Sequence, residues 1–249
     1  MTIIGVPYHQ DERLADDHVP LPAGAARVDP VLPAGAVWER LTALHGAVAE
    51  RVATAIRAGD VPTVVSGDCL VALGTLAGVQ RAGIDPGLVW FDAHGDVHTL
   101  DTTTSGYLGG LALRLASGAH DDLVAGPLGL RPVPVERTVL VGARDLDPAE
   151  VAYLDSGAGP ALRAVDDLGE LPDGPLVLHV DLDVIDAGDL PGLLFPAPGG
   201  PSTSDVRAAM GRILATGRVV ALDIACPWHP APSAGAQAAR TELLASLAS

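Results

Sequence analysis

"LVWFDAHGD" (residues 88–96) begins as an unbroken apolar run and ends in two aspartates and a histidine. A strand with one wet face alternates apolar and polar side chains; Leu-Val-Trp-Phe does not, which marks a strand covered on both faces. The same shape recurs along the chain. "LVLHVDLDVID" (176–186) runs into Asp181, Asp183 and Asp186, "VVALDIAC" (219–226) into Asp223 and Cys226, and "VVSGDCLVAL" (64–73) into Asp68 and Cys69. With two further runs, candidate strands cover 2–6, 63–66, 88–92, 138–141, 176–181 and 219–224. Helical patterns lie between or after them, at 37–58, 70–82, 107–116, 147–154, 204–215 and 235–247. Pro- and Gly-rich pieces at 19–35, 125–135 and 191–202 read as surface loops rather than domain boundaries. Strands alternating with helices predict an α/β fold, a mostly parallel sheet with helices on both faces. In such sheets the ligand crevice lies beyond the carboxyl ends of the strands.

That rule places the acidic clusters in the crevice. Side chains at i and i+2 of an extended segment share a side, so Asp92, His94 and Asp96 are expected to converge, as are Asp181 and Asp183. Carboxylates that face one another repel unless a cation lies among them. Oxygen-rich ligation with one imidazole suits a hard or borderline divalent ion, manganese first. Two such ions sharing carboxylates give hydroxide from a bridging water at neutral pH. The bland alternative is that these are loop acids of a very acidic protein. It suffices for one D-x-D, but less well for D-x-H-x-D and D-x-D both at strand ends.

Composition narrows the function classes. The chain has 249 residues and a formal charge of −16, which opposes nucleic acid and anionic membranes as partners. All 15 basic residues are arginine, so Schiff-base chemistry, pyridoxal-phosphate attachment and a Walker A loop are excluded. Two cysteines make no disulfide framework, and no apolar run has membrane-spanning length. A cytoplasmic location with reduced thiols is the expectation. The core must be built from Val, Leu and Ala, since there are only three Trp, three Tyr and two Phe.

Residues 92–99 resemble the D-A-H-x-D-x-N stretch of the ureohydrolases, the arginase and agmatinase superfamily. "HVDLDVID" is similar to that family's S-x-D-x-D-x-x-D-P, "VVSGDCLVAL" to its G-G-D-H-S turn, and "ALDIACPWHP" falls where D-I-x-E-x-N-P stands. Nearly the whole chain is covered, in the family's order. The resemblance implies a single three-layer α/β/α domain over residues 1–249 (arginase/deacetylase-like), two Mn2+ per chain and a possible homo-oligomer. Asp92, Asp96 and Asp181 match ligands of the first metal; Asp92, His94, Asp181 and Asp183 match ligands of the second. Cys69 holds the place of the sixth ligand, a histidine, and its thiolate would admit another divalent metal. "TTTSGYLGG" resembles the arginase loop that grips the substrate's α-carboxylate, through Thr103 and Ser105. "VGARDLDPAE" resembles the segment whose Asp147 and Glu150 positions read the α-amino group. Ordinary loop hydroxyls and helix-capping acids remain the competing readings of these four residues.

Four departures set the substrate apart from plain arginine: Cys69 for the metal histidine, Gly109 for the proton-shuttling histidine, Cys226 for the guanidinium-pairing glutamate, and His98 and Tyr107 for two asparagines. Loss of a buried acid partner costs a guanidinium several kcal/mol, roughly 3–5. A less basic group needs that acid less. Nω-hydroxy-arginine is such a substrate, and an arginase-like subgroup that hydrolyses it also carries cysteine at the metal-histidine position. The expected function is metal-dependent amidinohydrolysis of a small guanidino or modified amino acid through metal-bound hydroxide. Asp96 and His98 are its catalytic candidates, and His98 and Cys226 join the substrate-binding set. Cys69 as inert buried packing and Cys226 as part of a rigid "CPWHP" loop remain open. So do two other functions: a catalytically impaired or non-catalytic binding relative, and an amide hydrolase on the same fold.

Overall fold

The computed structural model describes residues 2–225 and 227–247. Among the described residues there are ten strands: β1 (Ile3–Val6), β2 (Tyr8–His9), β3 (Glu12–Arg13), β4 (Ala26–Arg27), β5 (Thr63–Ser66), β6 (Gly87–Phe91), β7 (Thr138–Val141), β8 (Ala161–Arg163), β9 (Leu176–Asp181) and β10 (Val219–Ala225). Seven helices accompany them: α1 (Val37–Arg57), α2 (Ala72–Arg81), α3 (Ala112–Ala116), α4 (Ala125–Leu128), α5 (Pro148–Asp155), α6 (Thr203–Leu214) and α7 (Ala234–Leu247). Eight strands form one sheet in the order β4-β1-β5-β10-β9-β6-β7-β8, and every neighbouring pair is parallel. β2 and β3 make a separate small hairpin.

Period-two alternation within the apolar runs builds the layers. In β6, Leu88 and Trp90 face one core with α1 and α2, while Val89 and Phe91 face the other with α6 and α7. β7 and β9 divide the same way, Leu140 and Val177 on the first side, Val139, Val141, Leu178 and Val180 on the second. The central strands are therefore apolar on both faces, with His179 of β9 and Asp223 of β10 as buried polar exceptions. The α/β expectation holds, with helices on both faces.

Three expectations change in detail. The stretch 107–116 is helical only from Ala112, after a 3₁₀ turn at Gly109–Leu111. Both loops at 19–35 and 125–135 carry structure, the edge strand β4 and the short helix α4. β8 was not anticipated because all three of its residues are exposed and carry no burial pattern.

α1 and α2 approach closely through Gly74 and Gly78, one helical turn apart on α2. A Cβ at Gly78 would lie 2.6 Å from Val52 Cβ and 2.7 Å from Ala49 O; one at Gly74 would lie 2.9 Å from His45 O. Replacing either glycine forces the helices apart, at a cost of roughly 1–3 kcal/mol. Fully buried in the same layer is His45, whose two ring nitrogens find no hydrogen-bond partner among the described residues. Burial pushes its imidazole from 6.5 down to about 3.

The unfolded chain protonates His45 below about 6.5 whereas the folded chain does not, so this contribution to stability is complete above that pH and is lost as pH falls towards 3. At pH 5 the loss is roughly 2 kcal/mol. Thermal melts at pH 7.5 and 5.0 should show a smaller drop for His45→Leu than for the wild type; equal drops would contradict the assignment. In the same melts Gly78→Ala should lower Tm by several degrees at both pH values.

Candidate active site

The four central strands β5, β10, β9 and β6 are neighbours, and their carboxyl ends open into one cleft of about 260 Å³. β5 leads into Asp68 and Cys69. Asp68 caps the 3₁₀ turn Cys69–Val71 by accepting Leu70 N–H at 2.8 Å, which sets the Cys69 thiol at the start of the turn. β6 ends at Phe91, so Asp92, His94 and Asp96 lie beyond the strand. Their convergence comes from a turn rather than from strand alternation. Asp92 accepts His94 N–H at 2.7 Å, and the backbone reverses through Asp96 at a φ of +53°, a left-handed value uncommon for a side chain other than glycine. β9 ends at Asp181, and Asp183 sits in the 3₁₀ turn Leu182–Val184, not in an extended segment.

The side chains of all six predicted ligands line the cleft, and their donor atoms form two groups that leave Asp181 outside both. The donor atoms of Cys69, Asp92 and Asp96 lie within 4.8 Å of one another, and so do those of Asp92, His94 and Asp183. Asp92 belongs to both groups, as a bridging ligand would. Asp181 lies against them, with Oδ2 at 2.9 Å from the Cys69 Sγ and Oδ1 accepting Asp183 N–H at 2.9 Å. Asp186 turns away and receives the N–H groups of Gly188, Gly199 and Gly200.

These groups carry more negative charge than burial tolerates. Desolvation, and then the Asp92 charge, holds the Asp96 carboxyl well above its ordinary range; desolvation, and then Asp183 and Asp92, does the same to Asp181. Burial with the nearby Asp92 pushes Asp183 up to about 6. Burial and the charges of Asp181, Asp96 and Asp92 push up the Cys69 thiol. His94 is the local counter-charge: despite burial, its contacts to Asp183 at 3.0 Å and Asp92 at 3.4 Å raise it to about 12. One oxygen of Asp96, Oδ2, is buried with no partner among the described residues. An orphaned carboxylate oxygen amid repelling acids is what a divalent-metal donor set looks like without its cation, so the residues present fit the two metals.

Support comes from outside the cleft. Trp90 Nε1 donates to Asp92 Oδ2 at 3.0 Å, and its ring stacks on His179 with centroids 3.6 Å apart. His179 pairs with Asp223 at 2.8 Å, and Thr75 donates to the same carboxylate. These groups are buried beneath the site, so His179 supports the floor of the cleft and does not line it. Arg144 donates to the carbonyls of Asp183, Val184 and Ala197, tying the metal-side turn to the loop at 191–202.

The substrate-side candidates line the same cleft: His98, Thr103, Ser105, Asp147 and Glu150. His98 is held between Thr102 Oγ1 at 3.1 Å and Asp147 Oδ2 at 3.0 Å. Thr103 and Ser105 hydroxyls accept the N–H groups of Gly106 and Tyr107 and brace their own loop. Glu150 receives Asp147 N–H at 3.0 Å and Val97 N–H at 3.3 Å, so the capping role is real; Asp147 keeps its carboxylate at the cleft. Cys226 lies outside the described residues. Sequence reasoning passed over Phe195, Asp145 and Gly110, which also line the cleft, and His9, which stacks behind it. Phe195 had a signal of sorts, being one of two phenylalanines and set in a Pro/Gly-rich loop.

Comparisons with known proteins agree with this geometry. A curated Nω-hydroxy-L-arginine amidinohydrolase of Streptomyces lavendulae is 33% identical over 206 residues, covering 80% of this chain and 72% of that protein. Arginase of Bacillus subtilis (strain 168) is 32% identical over 191 residues, covering 71% of this chain and 64% of that one, a little under two thirds. The crystal structure of arginase from Bacillus caldovelox superposes with a TM-score of 0.79 at 26% identity, over 99% of this chain and 97% of that one. The family model described as the Arginase family matches residues 24–247, and the chain belongs to that family.

Proposed function

We propose that this chain is a divalent-metal-dependent amidinohydrolase that cleaves a C–N bond in a guanidino amino acid, with an Nω-hydroxy-guanidino compound preferred over arginine itself. The observation that carries this reading is the pair of donor groups sharing Asp92 at the head of a cleft whose wall holds Thr103, Ser105 and Asp147. The similarity to the Streptomyces amidinohydrolase supports the substrate preference.

A bound metal pair would supply Lewis acidity and a source of hydroxide near neutral pH for attack on a planar C=N carbon. The chain's own residues do the rest. Asp92 holds both donor groups in register, itself fixed by Trp90. Asp96, with one carboxylate oxygen unpartnered among the described residues, would hold a metal and could accept a proton at that oxygen. His98 can return a proton to the departing amine, since its contact with the acceptor Asp147 places a hydrogen on Nε2 and leaves Nδ1 towards Thr102. Asp147 is the acid available to an α-ammonium group, and the Thr103 and Ser105 hydroxyls to an α-carboxylate. Manganese is the first expectation for the oxygen-rich groups. Cys69 shifts that balance towards softer ions.

One observation favours the non-catalytic alternative: Gly109 contributes no side chain to the cleft. Turnover separates the two. Incubated with Mn2+ and a panel of guanidino compounds, the protein should release hydroxyurea and ornithine from Nω-hydroxy-L-arginine, and act on L-arginine at least about tenfold more slowly, a factor worth roughly 1.4 kcal/mol. No release from any member of the panel would leave only a binding role. Asp92→Asn should cut turnover by more than roughly 100-fold and lower bound metal. His98→Ala should lower kcat more than it raises KM; unchanged turnover would remove His98 from the mechanism. Elemental analysis of protein purified without added metal should show Cys69→His gaining manganese relative to zinc and cobalt. Identical metal content in the two forms would show that Cys69 is not a ligand.

A further inference from the structure

Gly109 raises a question that the metal donors do not answer. A Cβ built at this position overlaps the Cζ and hydroxyl of Tyr107, so the tyrosine ring fills the space through which any side chain at 109 would enter the cleft. The ring is not loosely placed. Its hydroxyl donates to Asp68 Oδ2 at 3.1 Å, and the same oxygen lies 3.3 Å from His9 Nδ1 and accepts Gln10 N–H at 3.1 Å. Asp68 thus holds the Tyr107 ring from behind, and shares the hold on His9 with the Gly67 carbonyl, 3.0 Å from Nδ1. Phe195 completes the group from the loop at 191–202. Tyr107 and Phe195 centroids are 5.3 Å apart, His9 and Tyr107 5.4 Å, and His9 and Phe195 5.7 Å, with all three planes within 27° of parallel. Tyr107 and Phe195 face the cleft, and Phe195 is 42% exposed, as an aromatic side chain waiting for a partner would be.

We propose that the Tyr107–Phe195 surface, backed by His9, is the specificity-determining wall of the cleft, and that it selects a planar, weakly basic amidine such as an N-hydroxyguanidine over a guanidinium. This rests on the function proposed above and assigns its selectivity to residues. A flat ring face stacks on a flat, weakly hydrated group with little desolvation cost. Neither ring brings an acid of its own to the wall: the Tyr107 hydroxyl donates to Asp68, and the His9 Nδ1 lies 3.0 Å from the Gly67 carbonyl and 3.3 Å from Asp68. A ring face does attract a cation, but by less than a buried carboxylate in the same place would. The exchange also explains why Gly109 and Tyr107 occur together: the ring requires the glycine.

The test uses Mn2+-loaded protein with calorimetric binding of Nω-hydroxy-L-arginine and of L-arginine, alongside turnover of each. Phe195→Leu keeps the bulk and loses the flat face, on an exposed loop position where folding is not at risk. It should weaken hydroxy-arginine binding about tenfold and raise its KM with kcat within about twofold, while arginine binding changes little. Phe195→Tyr should restore the preference. Gly109→His alone should lower Tm, and pairing it with Tyr107→Asn should recover Tm and shift the preference towards arginine. The inference is overturned if Phe195→Leu leaves both affinities unchanged or weakens both equally, or if the wild type binds neither compound. Wild-type binding of hydroxy-arginine without turnover would instead remove the catalytic reading and leave the wall in place, provided the Phe195→Leu shift appears in the binding data.

Discussion

Mutual repulsion among buried carboxylates is the constraint around which the rest of this molecule is arranged. Asp92, Asp96, Asp181 and Asp183 are brought to one cleft by the ends of the neighbouring strands β6 and β9. Desolvation and like charge both act against the ionised forms. Left alone, Asp96, Asp181 and Asp183 would be pushed towards holding protons, while His94 keeps Asp92 below its ordinary range despite burial. A pair of divalent cations would resolve the conflict, because the charge density that costs stability in their absence would hold them in their presence.

The surroundings limit the freedom of this arrangement. Trp90 holds one oxygen of Asp92 and rests on a buried His179–Asp223–Thr75 chain, so the shared ligand is oriented by groups that never meet the substrate. Arg144 spends its donors on backbone carbonyls of the 182–184 turn and of the 191–202 loop, without a carboxylate partner for its fork. The metal side and the substrate side of the cleft are thereby mechanically joined. Outer contacts of this sort raise ligand basicity and fix geometry, and their loss commonly weakens metal binding by about 10- to 100-fold.

The sheet was legible because burial on both faces leaves an unbroken apolar run, and the acids were legible because they interrupt those runs at their ends. The reason given for their convergence was only partly right. Strand alternation does not reach past Phe91 or Asp181; a left-handed Asp96 and a 3₁₀ turn do the work. β8 escaped notice since an exposed edge strand has no pattern to detect. Phe195 and His9 escaped because their relation to Tyr107 exists only in space, across 88 and 98 residues of chain, and neither sits in a motif. Glu150 shows the opposite limit: its helix-capping and cleft-lining roles coexist, so a motif alone could not choose between them.

The strand order has a consequence in time. β9 and β10, late in the chain, occupy the middle of the sheet between β5 and β6. Everything before residue 176 can assemble only into two partial sheets, β4-β1-β5 and β6-β7-β8, each with an inner edge whose ladder is unmet. Long-range parallel pairing of this kind is slow, and open edges are where nascent chains stick to one another. Asp181 and Asp183 ride on the strand that closes the gap. The acid cluster is therefore complete only once the sheet is, and a chain that stalls before its centre strand lacks Asp181 and Asp183 at the cleft.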